Sequence, residues 1–429
     1  MQSAQQASNI PGRWANRAAR GFVGLVVTAC LVQAVRATVA SWLASRGSVE
    51  SIRRAEHWDP ANPEDPEQLA RALAAQGADA DPGDVARAFA DAARLGPNRA
   101  QSWASLGEAL DFAGDESAAA RAYRRALALF PKSPAINWQF ANFLIRAGDA
   151  HAAIAPLRLA IDGDASLRPG AFDLAWRAGI SREEILEMIP ARQEILSAYL
   201  DYLVATGRLD AAADAWKPLV ASPAAFDLDA AFRYFDALLN AHDVDALKAV
   251  WNDLARHDPA RIHSQGDDAN RITNGGFEQP SAGGGFDWRI VPIEGAEAAI
   301  NASAAHDGSR SLALHFDGKR NLDFGNVVEY VAVEPSTAYE FTAYTRSENI
   351  ATDSGPRIAV YDAFDHAALS LETPNLTGTT SWQEQRLDLR TGPKTRLLVV
   401  QVVRPPSRKL DNQISGTMWL DDVSLIAAP

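Results

Sequence analysis

"PNRAQSWASLGEALDFAGDESAAARAYRRALALFP" fills residues 97–131. It holds two runs of helical periodicity around a turn. Trp103, Leu106, Gly107 and Leu110 recur at spacings of three and four, which places them on one helix face. "AGD" at 113–115 interrupts the run. Ala119, Tyr123 and Ala126 continue on a second helix. Pro131 ends it, because proline lacks the backbone donor and its ring blocks the preceding turn. The small Gly107 and Ala119 let the two helices approach closely, while Trp103 and Tyr123 fill the space between one pair and the next. A single pair cannot bury its apolar face, so this stretch predicts further pairs stacked beside it.

The neighbours are present. A shift of about 34 residues finds Phe140, Ala141, Leu144, Gly148, Ala153, Leu157 and Ala160, and the reverse shift finds Phe89, Ala92 and Pro97. The pattern resembles the tetratricopeptide (TPR) repeat, with Leu110 where tyrosine is usual. A half-match at Ile52, Ala55 and Pro60 starts the array shortly after residue 48. Residues 194–221 and 229–259 still read helix, turn, helix. The expectation is an all-α TPR-like solenoid over residues 49–264. The resemblance implies a groove that binds a protein partner; a rigid spacer is an equally open reading.

Charge divides the chain. Residues 1–48 contain Arg13, Arg17, Arg20, Arg36 and Arg46 and no acid, although the 429-residue chain as a whole carries −13. That balance argues against a nucleic-acid partner, which would want a basic face. The arginines flank "GFVGLVVTACLVQAV" (21–35), and "ATVASWLA" follows Arg36. Fifteen uncharged residues suit the apolar part of a signal peptide; a membrane span over 21–43 requires Arg36 to reach back to the headgroups. With basic residues on its N-terminal side, such a span leaves a cytoplasmic tail and exports everything downstream. No Ala-x-Ala cleavage site is evident, so an uncleaved single-pass anchor in a bacterial cytoplasmic membrane is expected. "VTAC" (27–30) resembles a lipoprotein signal, but an apolar stretch follows Cys30 where a polar tether is usual. Cys30 is the only cysteine, which excludes an intrachain disulfide.

After "RIHSQGDDAN" (261–270) helical periodicity gives way to alternation. Strands are expected at 311–317, 327–333, 339–346, 357–363, 382–390, 396–403 and 417–426, separated by turn signals such as "AHDGSR" and "RTGPK". Strands at this spacing without intervening helices predict an all-β jelly-roll sandwich of eight or nine strands over residues 265–429. "NGGFE" (274–278), Trp288, "AHDGSRSL" (305–312), "VEPSTAYEFTAYTRS" (333–347), Trp382 and "WLDDVSL" (419–425) together resemble carbohydrate-binding modules of the galactose-binding-like type, with Ser336 where glycine is usual.

That resemblance implies several things about residues. The first and last strands of the sandwich meet, and a structural calcium sits there, held by Glu278, Asp421 and carbonyls around Gly308–Arg310, as a hard cation requires. Asp422, next along the strand, would face the opposite side. The other reading of Glu278 is a simple pair with an arginine. Trp288 and Trp382 would be buried, leaving Tyr344, Tyr361 and Phe364 as the aromatics that could stack on a sugar. No phosphate loop, nucleophile elbow or metalloprotease motif occurs, and a non-catalytic protein is expected. The whole arrangement resembles TPR proteins that accompany bacterial extracellular polysaccharide synthesis. It implies a membrane-anchored scaffold of the cell envelope or periplasm, with a protein partner in the TPR groove and polysaccharide on the jelly roll. An envelope scaffold that binds no sugar and a secreted glycan-processing enzyme are the alternatives.

Overall fold

The computed structural model describes residues 11–222, 227–262, 270–410 and 412–428. Among them the chain forms fourteen α-helices and then ten β-strands. The helices are α1 (Pro11–Ala44), α2 (Val49–Trp58), α3 (Glu64–Ala74), α4 (Pro82–Leu95), α5 (Ala100–Phe112), α6 (Glu116–Leu129), α7 (Pro134–Arg146), α8 (Ile154–Gly163), α9 (Arg168–Arg177), α10 (Arg182–Met188), α11 (Gln193–Ala205), α12 (Leu209–Ala221), α13 (Leu228–Asn240) and α14 (Val244–His257). The strands are β1 (Arg289–Ile290), β2 (Ala296–Asn301), β3 (Ser311–Asp317), β4 (Phe324–Ala332), β5 (Ala338–Ile350), β6 (Arg357–Asp362), β7 (Ser370–Glu372), β8 (Gly378–Arg390), β9 (Leu397–Arg404) and β10 (Ser415–Ala427). Two compact units result, residues 1–190 and 191–429.

In the first unit successive helices pair and stack as the repeat pattern requires. Ala119, Tyr123 and Ala126 are buried. A Cβ at Gly107 would come within 2.8 Å of the Tyr123 ring, so only glycine allows α5 and α6 this approach. Gly114 and Gly148, in the two "AGD" turns, have φ of 82° and 83°, the left-handed conformation that ends a helix sharply. Asp115 then caps α6 by accepting the Ala118 N–H at 2.9 Å. The array does not wait for residue 49: the C-terminal turns of α1 form the partner of α2, with Ala40, Ala44 and Ala55 buried together.

The second unit joins α11–α14 to a sandwich. Two antiparallel five-stranded sheets, ordered β1-β4-β9-β6-β7 and β2-β3-β10-β5-β8, pack face to face. From β3 onward the long strands alternate between the sheets, which is the jelly-roll path. Inward residues alternate with outward ones. On β9, Leu398, Val400 and Val402 enter the core with Phe341, Leu420 and Trp288. The sandwich is seated on α13 and α14. Phe286 lies edge-on to Phe235 (centroids 4.9 Å) and to Trp251 (5.9 Å). "GGGF" (283–286) makes this approach feasible. A Cβ at Gly284 would be 2.6 Å from the Phe232 ring, and one at Gly285, whose φ is 63°, would fall on Trp251. Arg289 pairs with Asp236 at 2.7 Å and Arg396 with Asp245 at 3.0 Å.

Candidate functional site

A groove of about 620 Å³ crosses the outer face of the β1-β4-β9-β6-β7 sheet. Strand alternation builds its floor. Ile358 and Val360 of β6 point into the core, so Ala359 and Tyr361 point out. On β9 the same rule turns Gln401 and Val403 outward, in alternation with the core residues Val400 and Val402. Tyr361 and Gln401 are locked together. The Tyr361 hydroxyl donates to Gln401 Oε1 at 2.7 Å, and Gln401 Nε2 donates to the Gly325 carbonyl at 2.6 Å. The Tyr361 ring packs on His366 with centroids 4.1 Å apart. Half-burial raises the phenol pKa above its ordinary value, so Tyr361 stays a neutral hydroxyl.

Asp323, Asn326, Ser370 and Glu372 stand along the rest of the groove. Glu372 is paired with Arg357 at 3.2 Å. Among the described residues that line the groove none is a lysine or arginine. An aromatic ring, amides, hydroxyls and carboxylates over an apolar floor of Val328 and Val403 suit a ligand that offers both hydroxyls and C–H faces.

The aromatic residues singled out from the sequence lie in different places. Tyr361 is in the groove. Tyr344 is on the outer face of the other sheet, covered by His306 with rings stacked at 3.7 Å and 13°; Trp382 meets the same imidazole edge-on at 5.7 Å. His242 of the α13–α14 turn stacks on one face of Phe364 at 4.0 Å, and Phe364 lines a separate cavity of about 420 Å³ with Val244, Lys394 and Arg396. Trp288 is fully buried, as its position implies, whereas Trp382 is half-buried. Ser336 has φ of 53°, which explains why glycine suits that turn.

Glu278 and Asp421 both hold the loop at 306–310. Glu278 accepts from Ser309 N–H (2.7 Å), Ser309 Oγ (2.7 Å) and Arg310 N–H (2.9 Å). These donors, the Ser309 amide first, pull its pKa below the usual carboxylate range. Asp421 is fully buried and accepts from His306 N–H at 2.7 Å and Asp422 N–H at 2.9 Å. Burial pushes its pKa up in spite of these bonds. Strict alternation would turn Asp422 away. Instead its φ is 46°, the β10–β5 register shifts between Asp421 and Ser424, and its Oδ2 lies 2.6 Å from His306 Nδ1. A bulge thus sends two adjacent carboxylates to one loop. The first strand, β1, pairs with β4 in the sheet opposite β10, and it is the segment before β1 that meets β10: Arg271 N–H donates to the Leu425 carbonyl at 2.9 Å, and Val423 N–H to that of Gly275 at 2.9 Å.

Calcium needs a shell of oxygen donors. The groups that face these carboxylates are N–H and O–H donors, and among the described residues no three acidic, histidine or cysteine side chains converge as a metal site. As they stand, Glu278 and Asp421 anchor the 306–310 loop through its backbone amides.

No protein-family model matches the sequence, and no curated protein does. Parts of the chain are similar to solved structures. The structure titled "Family 16 Carbohydrate Binding Module-2" is 19% identical, over 37% of this chain and 99% of that one, with a TM-score of 0.27. TmCBM61 in complex with β-1,4-galactotriose is 20% identical, over 37% and 99%, with a TM-score of 0.27. The MamA protein is 16% identical, over 44% and 90%, with a TM-score of 0.26.

Proposed function

We propose that this is a non-catalytic, membrane-anchored scaffold whose sandwich holds a glycan chain in the groove over Tyr361, while the helical array holds a protein partner. The observation that carries the reading is the Tyr361–Gln401–Gly325 chain of hydrogen bonds. It fixes an aromatic face and an amide on the floor of an open groove, and such pre-set groups cost little ordering when a ligand arrives. The ring offers a surface for sugar C–H groups, and the surrounding amides and carboxylates accept and donate to hydroxyls. The lining also sets the charge class. Asp323 brings negative charge, Glu372 is already paired with Arg357, and among the described residues no lysine or arginine lines the groove to answer an acid, so uronate-rich or sulfated chains are disfavoured relative to neutral polysaccharides.

The role follows from the arrangement of parts. A helix with the length and composition of a membrane span precedes the array, and the glycan groove lies at the other end of the sequence. Such a chain would hold an emerging extracellular polysaccharide near a membrane-bound assembly or export machine, outside the cytoplasm. The test is a panel of neutral, uronate-bearing and sulfated polysaccharides presented to the full chain in detergent. Retention by neutral chains alone is expected. Binding confined to acidic chains, or none at all, would overturn the reading.

A further inference from the structure

Helix α1 is more than a tether. Near its C-terminal end Ala40 and Ala44 are buried on Ala55 of α2, with Leu43 packed beside them. Arg36 Nε donates to the Trp58 carbonyl at 2.8 Å. Residues 40 and 44 meet residue 55, and residue 36 meets residue 58, so the two helices run in opposite directions. Cleavage just after residue 36 would remove the Arg36–Trp58 bond, and only cleavage beyond Ala44 would strip α2 of this packing partner altogether.

N-terminal to Arg36 the same helix is bare. Phe22 and Leu25 are each 70% exposed, Leu31 62% and Val35 59%. The uncharged run 21–35 is about 22 Å long at the helical rise, short of the roughly 30 Å hydrocarbon core. The missing length has to come partly from beyond Arg36, and there α1 no longer stands alone. The end of α2 has returned to its side, and Trp58 sits at the level of Arg36. Trp58 is 43% exposed and Trp42 56% exposed, with the Arg46 guanidinium 4.0 Å from the Trp42 ring centre. Tryptophan and arginine with apolar bodies and polar tips are the side chains that bilayer interfaces favour. The Arg36 guanidinium, which would be costly at this depth, is answered by the Trp58 carbonyl.

We propose that the α1–α2 pair is seated in the lipid headgroup region, with the C-terminal end of α2 at the hydrocarbon boundary, so that the first helical pair of the array is itself part of the membrane anchor. The proposal rests on the reading of α1 as a span. Its occupant is a phospholipid bilayer, because the surface is continuous with the bare apolar length of the same helix.

The experiment uses the full chain in phosphatidylcholine–phosphatidylglycerol vesicles. In a Cys30→Ser background, single cysteines replace Val27, His57 or the exposed Phe112 at the end of α5, and each carries an environment-sensitive fluorophore. Quenching is compared for lipids brominated near the headgroup and deep in the acyl chain. The label at 27 should be quenched most by the deep bromines. The label at 57 should be quenched several-fold more than that at 112, and most by the shallow bromines. Quenching at 27 with 57 no different from 112 would overturn the seat and leave the span standing. No quenching at 27 would remove the span and the proposal with it. A mature chain that begins after residue 37 would also overturn it.

Discussion

Phe286→Ala tests whether the sandwich and the last helices are one folded body. The Phe286 ring is 1% exposed and meets Phe235 and Trp251 edge-on. Truncation removes the ring from a site where Gly284 and Gly285 already bring backbone against Phe232 and Trp251. Backbone that close has little room to collapse further, so the cavity should persist. Phe→Ala at such positions costs about 3–5 kcal/mol. For a unit of the size of residues 191–429, each kcal/mol lowers the melting temperature by about 2–4 °C. The expected fall is therefore ~6–20 °C in the transition of that unit. Differential scanning calorimetry of the full chain, with far-ultraviolet dichroism at helix and strand wavelengths, reads it. Helix and strand signals of this unit should move together. A strand transition that falls while the α11–α14 helices melt as before would refute the docking, and an unchanged profile would refute the packing argument itself.

Gly107→Leu should destabilise the first unit by about 1–3 kcal/mol or more through overpacking on Tyr123; dichroism at the helix wavelength would show it, and Gly107→Leu with Tyr123→Ala should recover part of the loss. Glu329 is fully buried, accepts among the described residues only the Thr273 N–H at 2.7 Å, and has its pKa raised well above the ordinary carboxylate value by burial. The folded state therefore holds this group protonated. Its contribution is present below the unfolded pKa and is lost as pH rises towards the folded one. Glu329→Gln should accordingly shrink the fall in melting temperature between about pH 5 and about pH 8; an undiminished fall would mean that another group is responsible. Chelator and added calcium should leave the melting curve alike, because donors already satisfy Glu278 and Asp421; a calcium-dependent rise that Asp421→Asn abolishes would show that the loop turns its carbonyls inward to an ion.

Much of the fold was open to reading because local pattern and tertiary demand agree. Gly107, Tyr123 and the "AGD" turns carry the repeat, alternation in "SLALHFD" marks β3, and the short β-branched apolar run "RLLVVQVV" marks β9. β2 escapes the same reading because "AEAAIN" is built of residues that favour helices, and only pairing with β3 makes it a strand. β7 is three residues long, too short for a period to register. Phe286 could not be read as a docking residue, since its partners lie on helices far back in the chain, although the glycines before it hint at a close approach. Asp422 escaped because a bulge with positive φ breaks the alternation from which its direction was inferred. Each of the three aromatics carries a histidine ring on one face, and for Tyr344 and Phe364 that histidine comes from far along the chain. The groove did leave one mark: Gln401 interrupts an otherwise apolar strand, which a residue facing an aqueous groove explains.

The central claim is that the face over Tyr361, and not the opposite face of the sandwich, holds the glycan. Calorimetric titration of the full chain with the neutral polysaccharide retained in the panel, for wild type, Tyr361→Ala and Tyr344→Ala, tests it most directly. Tyr361→Ala should weaken binding about ten-fold or more, equivalent to ~1.4 kcal/mol, with Tyr344→Ala close to wild type. Equal affinity for wild type and Tyr361→Ala, or a loss confined to Tyr344→Ala, would contradict the account.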